Sequence, residues 1–211
     1  MRFLVFALLL APATALAYGE VVGDSPSPEE RALHFFTDRL RVDPDATDAQ
    51  FADLPPVRPL LYNADLNDAA RFYAEDMALN GCFPEDHTSC DGTSFADRLG
   101  GFYSGEVIGE NILLGIPGAE ATVFEGWLYS DGHRANMLRD SYNELGTGYA
   151  LGERALWVQD FGRRSDLPEP LTTSGTVWPL NPAPNSSATF YVALHDPDGD
   201  EVGDVDRGAE G

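Results

Sequence analysis

Apolar residues recur at helical spacing in two long stretches. Leu33, Phe36, Leu40 and Val42 form an approximately helical stripe, preceded by Ser25-Pro-Ser27-Pro28-Glu29-Glu30. A cap hydroxyl, a proline in the first turn and early carboxylates that suit the helix dipole predict a first helix there, ended by Asp43-Pro44. Leu66, Ala69, Ala70, Tyr73 and Met77 lie at i, i+3, i+4, i+7 and i+11, predicting a second helix that stops at Asn80-Gly81. A short helix is expected over about 93–99, ending at Gly100-Gly101. A third substantial helix is expected over 119–129, with Val123, Phe124 and Trp127 toward the core. Two strand-like runs follow at 145–151 and 155–161, and Gly152-Glu153 between them predicts a hairpin. Residues 106–114 mix apolar and small residues around a Gly-Glu-Asn triplet. Helices with a small antiparallel sheet give an α+β fold class.

The two ends break this pattern. Arg2, the apolar run 3–10 and Ala15-Leu16-Ala17 read as a signal peptide cleaved after residue 17, and the run is far shorter than the roughly 20 apolar residues that span a bilayer. Residues 18–27 are then an N-terminal extension and 28–162 the folded domain. Prolines crowd residues 163–187, as in Asp166-Leu-Pro-Glu-Pro170 and Asn181-Pro-Ala-Pro-Asn185, predicting an extended linker or surface arm. Residues 188–211 hold one possible strand, over 188–194, and an acidic tail. Asp196, Asp198, Asp200 and Asp204 recur there with the spacing of a calcium loop, although Glu201 stands where a glycine normally follows and no glutamate closes the loop. A solvated acidic terminus is the simpler reading.

Charge narrows the function. The chain has 211 residues with 13 cations, all arginine, against 35 acids, a net charge of −22. Such a polyanion repels phosphate backbones and anionic headgroups, which argues against nucleic-acid partners. Without a lysine there is no Schiff base and no lysine general base. Export places the two cysteines, Cys82 and Cys90, in an oxidising compartment, so they are expected to bond to each other. The competing reading is a zinc site of Cys82, His87 and Cys90.

Of the four histidines, His34 lies beside Phe35 and Phe36 and His195 opens the acidic tail. Both read as surface or half-buried residues. His87 and His133 instead sit in polar, turn-rich segments, Glu85-Asp86-His87-Thr88-Ser89 and Ser130-Asp131-Gly132-His133-Arg134, where imidazoles and carboxylates are candidate ligands for zinc. Their separation matches no short metal motif.

The ordered set of His87, Gly-Thr-Ser-Phe at 92–95, Gly-Glu-Asn-Ile at 109–112, Trp127, Ser-Asp-Gly-His-Arg-Ala-Asn-Met-Leu at 130–138, Leu-Gly-Thr-Gly-Tyr-Ala at 145–150 and Trp-Val-Gln-Asp-Phe-Gly at 157–162 resembles the CAP superfamily, also called the SCP domain. Its members include cysteine-rich secretory, antigen 5 and pathogenesis-related proteins, and the compact form here is most similar to bacterial secreted members. The resemblance covers about residues 28–162. It implies a three-layer α-β-α sandwich with a central cavity lined by two histidines and acidic residues, a site that can take a divalent metal. Position by position, it implies His87, Glu110 and His133 as the metal set. Where members with a full set place a glutamate three residues past the helix tryptophan, this chain has Ser130, a neutral hydroxyl that adds little ligand strength. Glu125, one turn earlier, is the acid nearest to substituting. Arg134 and Asn136 are expected to tie the helix-to-loop junction or rim the cavity.

The resemblance supports a secreted, non-enzymatic binding module for an extracellular small molecule, lipid, sterol, glycan or peptide, acting outside the cell or in the periplasm. The alternative is a metal-assisted hydrolase or peptidase with His87 and His133 on the metal and Glu110 as candidate base. A further alternative is a calcium-dependent adhesion protein of the cell envelope, using the tail.

Overall fold

The structure is a computed structural model that describes residues 26–44, 49–51, 53–165, 172–178 and 189–194, the last two stretches by their backbone. Helix α1 (Pro28–Val42) begins with a capping box: the Ser27 hydroxyl accepts from the Glu30 amide while the Glu30 carboxylate accepts from the Ser27 amide. Helix α2 (Ala64–Asn80) is capped by Asn63 and ends at Gly81 in the left-handed conformation, φ 64°. Its stripe of Leu66, Ala69, Ala70, Tyr73 and Met77 is fully buried, each large apolar side chain contributing about 1.5–3 kcal/mol. Helix α3 (Phe95–Gly100) is capped by Ser94.

The central sheet has the order β1-β3-β4-β2, with β1 (Leu61–Tyr62), β2 (Val107–Leu114), β3 (Glu144–Leu151) and β4 (Ala155–Arg163). The predicted hairpin is β3–β4, and β2 pairs antiparallel with the other side of β4. The sheet is mixed rather than purely antiparallel, because β1 runs parallel to β3 at the edge. Side chains alternate along β4. Ala155, Trp157 and Phe161 join the cluster with Leu33, Phe36 and Trp127, whereas Leu156 and Val158 join Ala70, Tyr73 and Met77. The sheet is therefore the middle layer, with α1 and the 119–137 segment on one face and α2 and α3 on the other.

Three further expectations change. Residues 119–129 are not one helix but α4 (Ala119–Ala121), a π turn (Thr122–Gly126) and a 3-10 turn (Trp127–Tyr129), followed by α5 (Asp131–Met137). The widened turn brings the Trp127 Nε1–H onto the Ile112 carbonyl at 3.1 Å. His34 is not a surface residue: it is 4% exposed, and its Nε2 lies 2.9 Å from the Leu60 carbonyl oxygen and 3.4 Å from Asp38 Oδ2. Within the stretch expected to be linker, the proline-free segment Thr172–Trp178 forms β5 and pairs antiparallel with β6 (Thr189–Leu194). The signal-like N-terminus, His195 and the acidic tail lie outside the described residues.

Candidate functional site

Strand β2 positions the site, because it is an edge strand whose two faces and outer rim carry different chemistry. Glu110 shares a face with Ile112 and Leu114, toward α2, while Asn111 points to the opposite face. The outer rim is covered rather than bare. Asn136 Nδ2 donates to the Glu110 carbonyl at 3.1 Å, Trp127 covers the Ile112 carbonyl, and Asn111 Nδ2 donates to the His133 carbonyl at 3.1 Å. These bonds stitch α5 onto the strand and block further strand pairing.

On the α2 face, Glu110 is 6% exposed and both its carboxylate oxygens are engaged. His87 Nδ1 lies 2.8 Å from Oε1, and Arg98 Nη2 donates to Oε2 at 2.6 Å. His87 holds this position on a left-handed backbone, φ 64°, uncommon for a residue with a β-carbon. Arg98 reaches in from α3, donates through Nη1 to the His87 carbonyl at 3.0 Å and to Ser89 Oγ at 3.2 Å, and stacks 3.5 Å over the Tyr73 ring. Removing one partner of so buried an ion pair costs about 3–5 kcal/mol. Directly across the strands, Asp160 of β4 pairs in register with Glu110 and is fully buried. Burial, then the charge and hydrogen bonding of Glu110, push its carboxyl well above the usual aspartate value, with Arg98 opposing only in part. Neither Asp160 oxygen has a donor, so its link to Glu110 is a hydrogen bond only when one of the two carboxyls carries a proton.

The remaining expected residues within the described region lie on α5 and the turns that precede it. His133 is half-buried on α5 with its ring 6.2 Å from that of Trp127; burial and then the neighbouring His87 lower its pKa. Ser130 is the N-cap residue of α5, Glu125 is exposed, and Arg134 donates to the Leu128 carbonyl and to Asp131, tying the turn. Asp196, Asp198, Asp200 and Asp204 lie outside the described residues. Arg98 and Asp160 join the site without having been expected there. By sequence Arg98 is an ordinary helix cation, yet it follows His87 at a distance that lets α3 fold back onto the loop. Asp160 sits at an inward position of β4 among Leu156 and Val158, where an acid needs a partner.

As placed in the structure, His87, Glu110 and His133 are not gathered into a metal-binding group. The candidate ligand atoms of His87, Glu110 and His133 are not all within 4.8 Å of one another, and Glu110 already faces a guanidinium. Among the described residues, the trio that does meet that distance is Asp76, Cys82 and Cys90. There Cys82 and Cys90 form a disulfide, Cα atoms 6.0 Å apart, which supersedes the Cys–His–Cys zinc alternative and leaves one carboxylate.

Beside the site, α2, the disulfide loop and α3 enclose a groove of about 460 Å³. Phe72 and Phe102 form its aromatic rim, ring centroids 5.6 Å apart, and both remain substantially exposed. Asp76, Asp91, Thr93 and Arg98 supply its polar lining. The loop wall is held by the disulfide, by the Cys90 amide on Asp76 at 2.8 Å and by the Thr93 amide on Asp91 at 2.9 Å.

Comparison with known proteins agrees with this architecture. Uncharacterized protein YkwD of Bacillus subtilis is 33% identical over 106 residues, 50% of this chain and 40% of that protein, so the chain spans less than half of that relative's length. An outer surface protein of Borrelia burgdorferi superposes with a TM-score of 0.52 at 20% identity, covering 63% of this chain and 90% of that one. An extracellular SCP-domain protein of Bacillus anthracis is 26% identical with a TM-score of 0.48, covering 64% of this chain and 41% of that one. The model of the cysteine-rich secretory protein family, CAP, matches residues 50–161, more than half of the chain, and the chain belongs to that family.

Proposed function

We propose that the chain is exported and acts as a non-enzymatic binding module, its extracellular ligand lying in the groove between α2, the disulfide loop and α3. The groove carries this reading: it couples an exposed aromatic pair, Phe72 and Phe102, to the Asp76 carboxylate on α2 and to the Asp91 carboxylate and Thr93 hydroxyl beside a loop already locked by a disulfide. A pre-formed wall lowers the ordering cost of binding. Aromatic faces beside hydrogen-bonding groups suit a glycan or a peptide, whereas an open, partly acidic groove suits a lipid tail poorly. Export is supported by the signal-like N-terminus and by the disulfide. Among the described residues no helix is long and apolar enough to cross a membrane.

The hydrolase reading is weaker on one ground. A general base must accept a proton from water or substrate, and Glu110 has both oxygens occupied and its side chain 1% exposed. The test is native mass spectrometry of protein purified from its own culture medium. A glycan or peptide adduct is expected, and it should be lost in the Phe72→Ala/Phe102→Ala variant. An adduct that survives this variant, or peptide cleavage that disappears in Glu110→Gln, would overturn the proposal.

A further inference from the structure

Two acids face each other in the interior, and something must neutralise them. Glu110 and Asp160 are cross-strand partners on β2 and β4, both directed toward α2 and both almost wholly buried. Charges so placed require a cation, a proton or a metal ion. In this chain the cation comes from α3. Arg98 is 2% exposed at its side chain and meets Glu110 at 2.6 Å. It is held independently of Glu110 by the His87 carbonyl, by Ser89 Oγ and by the face of Tyr73. Its hold on the His87 carbonyl fixes the left-handed backbone that aims the His87 ring at Glu110.

We propose that Arg98 is a positioning residue that supplies the cation for Glu110, taking the place of a divalent metal. A metal ion at Glu110 would have to displace a guanidinium anchored at three other points, or sit beside its permanent charge. The site therefore assembles without metal. This inference stands whether or not the groove binds a ligand, because it concerns the interior beneath it.

The test compares thermal unfolding and zinc calorimetry of the whole protein in EDTA and in zinc for four forms: wild type, Arg98→Lys, Arg98→Met, and Arg98→Met/Glu110→Gln. Wild type should unfold at the same temperature in both conditions and give no binding heat. Arg98→Met should melt lower in EDTA and be shifted upward by zinc, since the metal then neutralises the freed carboxylate; a purely structural packing role would give no such rescue. Arg98→Lys, which keeps the charge, should melt between the two without responding to zinc. The double variant, which removes cation and anion together, should fold and not respond. If Arg98→Met does not fold, wild type and the double variant still decide. A zinc-dependent stabilisation of wild type that His87→Ala abolishes would overturn the inference, as would folded Arg98→Met that ignores zinc.

Discussion

Gly148→Ala offers a sharp test of how α2 is seated on the sheet. Gly148 lies on the face of β3 that meets α2, and a β-carbon there would stand 2.1 Å from the Ala70 carbonyl oxygen and 2.2 Å from its carbonyl carbon. Both are backbone atoms, so no side-chain rotation relieves the overlap. The helix must retreat by roughly 1.3 Å merely to restore the 3.4 Å of ordinary contact. Because α2 moves as a rigid rod, Leu66, Ala69, Tyr73 and Met77 all lose contact with the sheet. Overpacking of this kind costs about 1–3 kcal/mol, and the loss along the whole helix face places Gly148→Ala at the upper end, about 3 kcal/mol. Urea denaturation with linear extrapolation measures it. Gly132→Ala is the control, since a β-carbon there meets nothing within 4 Å, and it should leave stability unchanged or raise it by up to about 1 kcal/mol. A Gly148→Ala protein within about 0.5 kcal/mol of wild type would refute the close helix–strand seating.

Asp160→Asn should stabilise the protein at neutral pH. An acid with a raised folded pKa contributes full stability below its usual 3.8 and loses it as pH rises from there, so the variant's advantage should grow with pH across that window; urea midpoints showing a constant difference would contradict this. His34 behaves in the same sense over a higher pH range. Burial lowers its pKa, but the Asp38 carboxylate and the Leu60 carbonyl outweigh burial and raise it, so its stabilisation is complete below pH 6.5 and fades as pH rises through the raised value. His34→Gln should therefore be most destabilised at low pH and approach wild type in alkaline buffer, as urea midpoints across that range would show. Reducing Cys82–Cys90, which closes a short loop, should cost about 2.5 kcal/mol and weaken ligand retention in the groove, read by unfolding with and without reductant.

The helices within reach of periodicity are legible in the sequence. The α2 stripe of Leu66, Ala69, Ala70, Tyr73 and Met77 and the β3–β4 hairpin are where the pattern of apolar residues places them. What escapes has a common cause: its determinant is tertiary. Strand β2 carries Gly109, Glu110 and Asn111 in its middle, so it shows no apolar alternation; its polar residues are satisfied by His87, Arg98, Asn136 and Gln159, from distant segments. The π turn before Trp127 leaves no mark in composition, because it serves a bond to Ile112. His87 and Glu110 are identified through motif order and do meet. Their neighbours Arg98 and Asp160 become visible only when α3 and β4 are folded against them.

That the ligand lies in the groove is tested most directly by chemical-shift mapping. The adduct identified by native mass spectrometry would be titrated into isotope-labelled, ligand-free protein. Shifts should concentrate on the amides of Cys90, Thr93 and Phe102 and on the Phe72 and Phe102 rings. Shifts centred instead on His133, Asn136 and Ser130, with the groove silent, would contradict it.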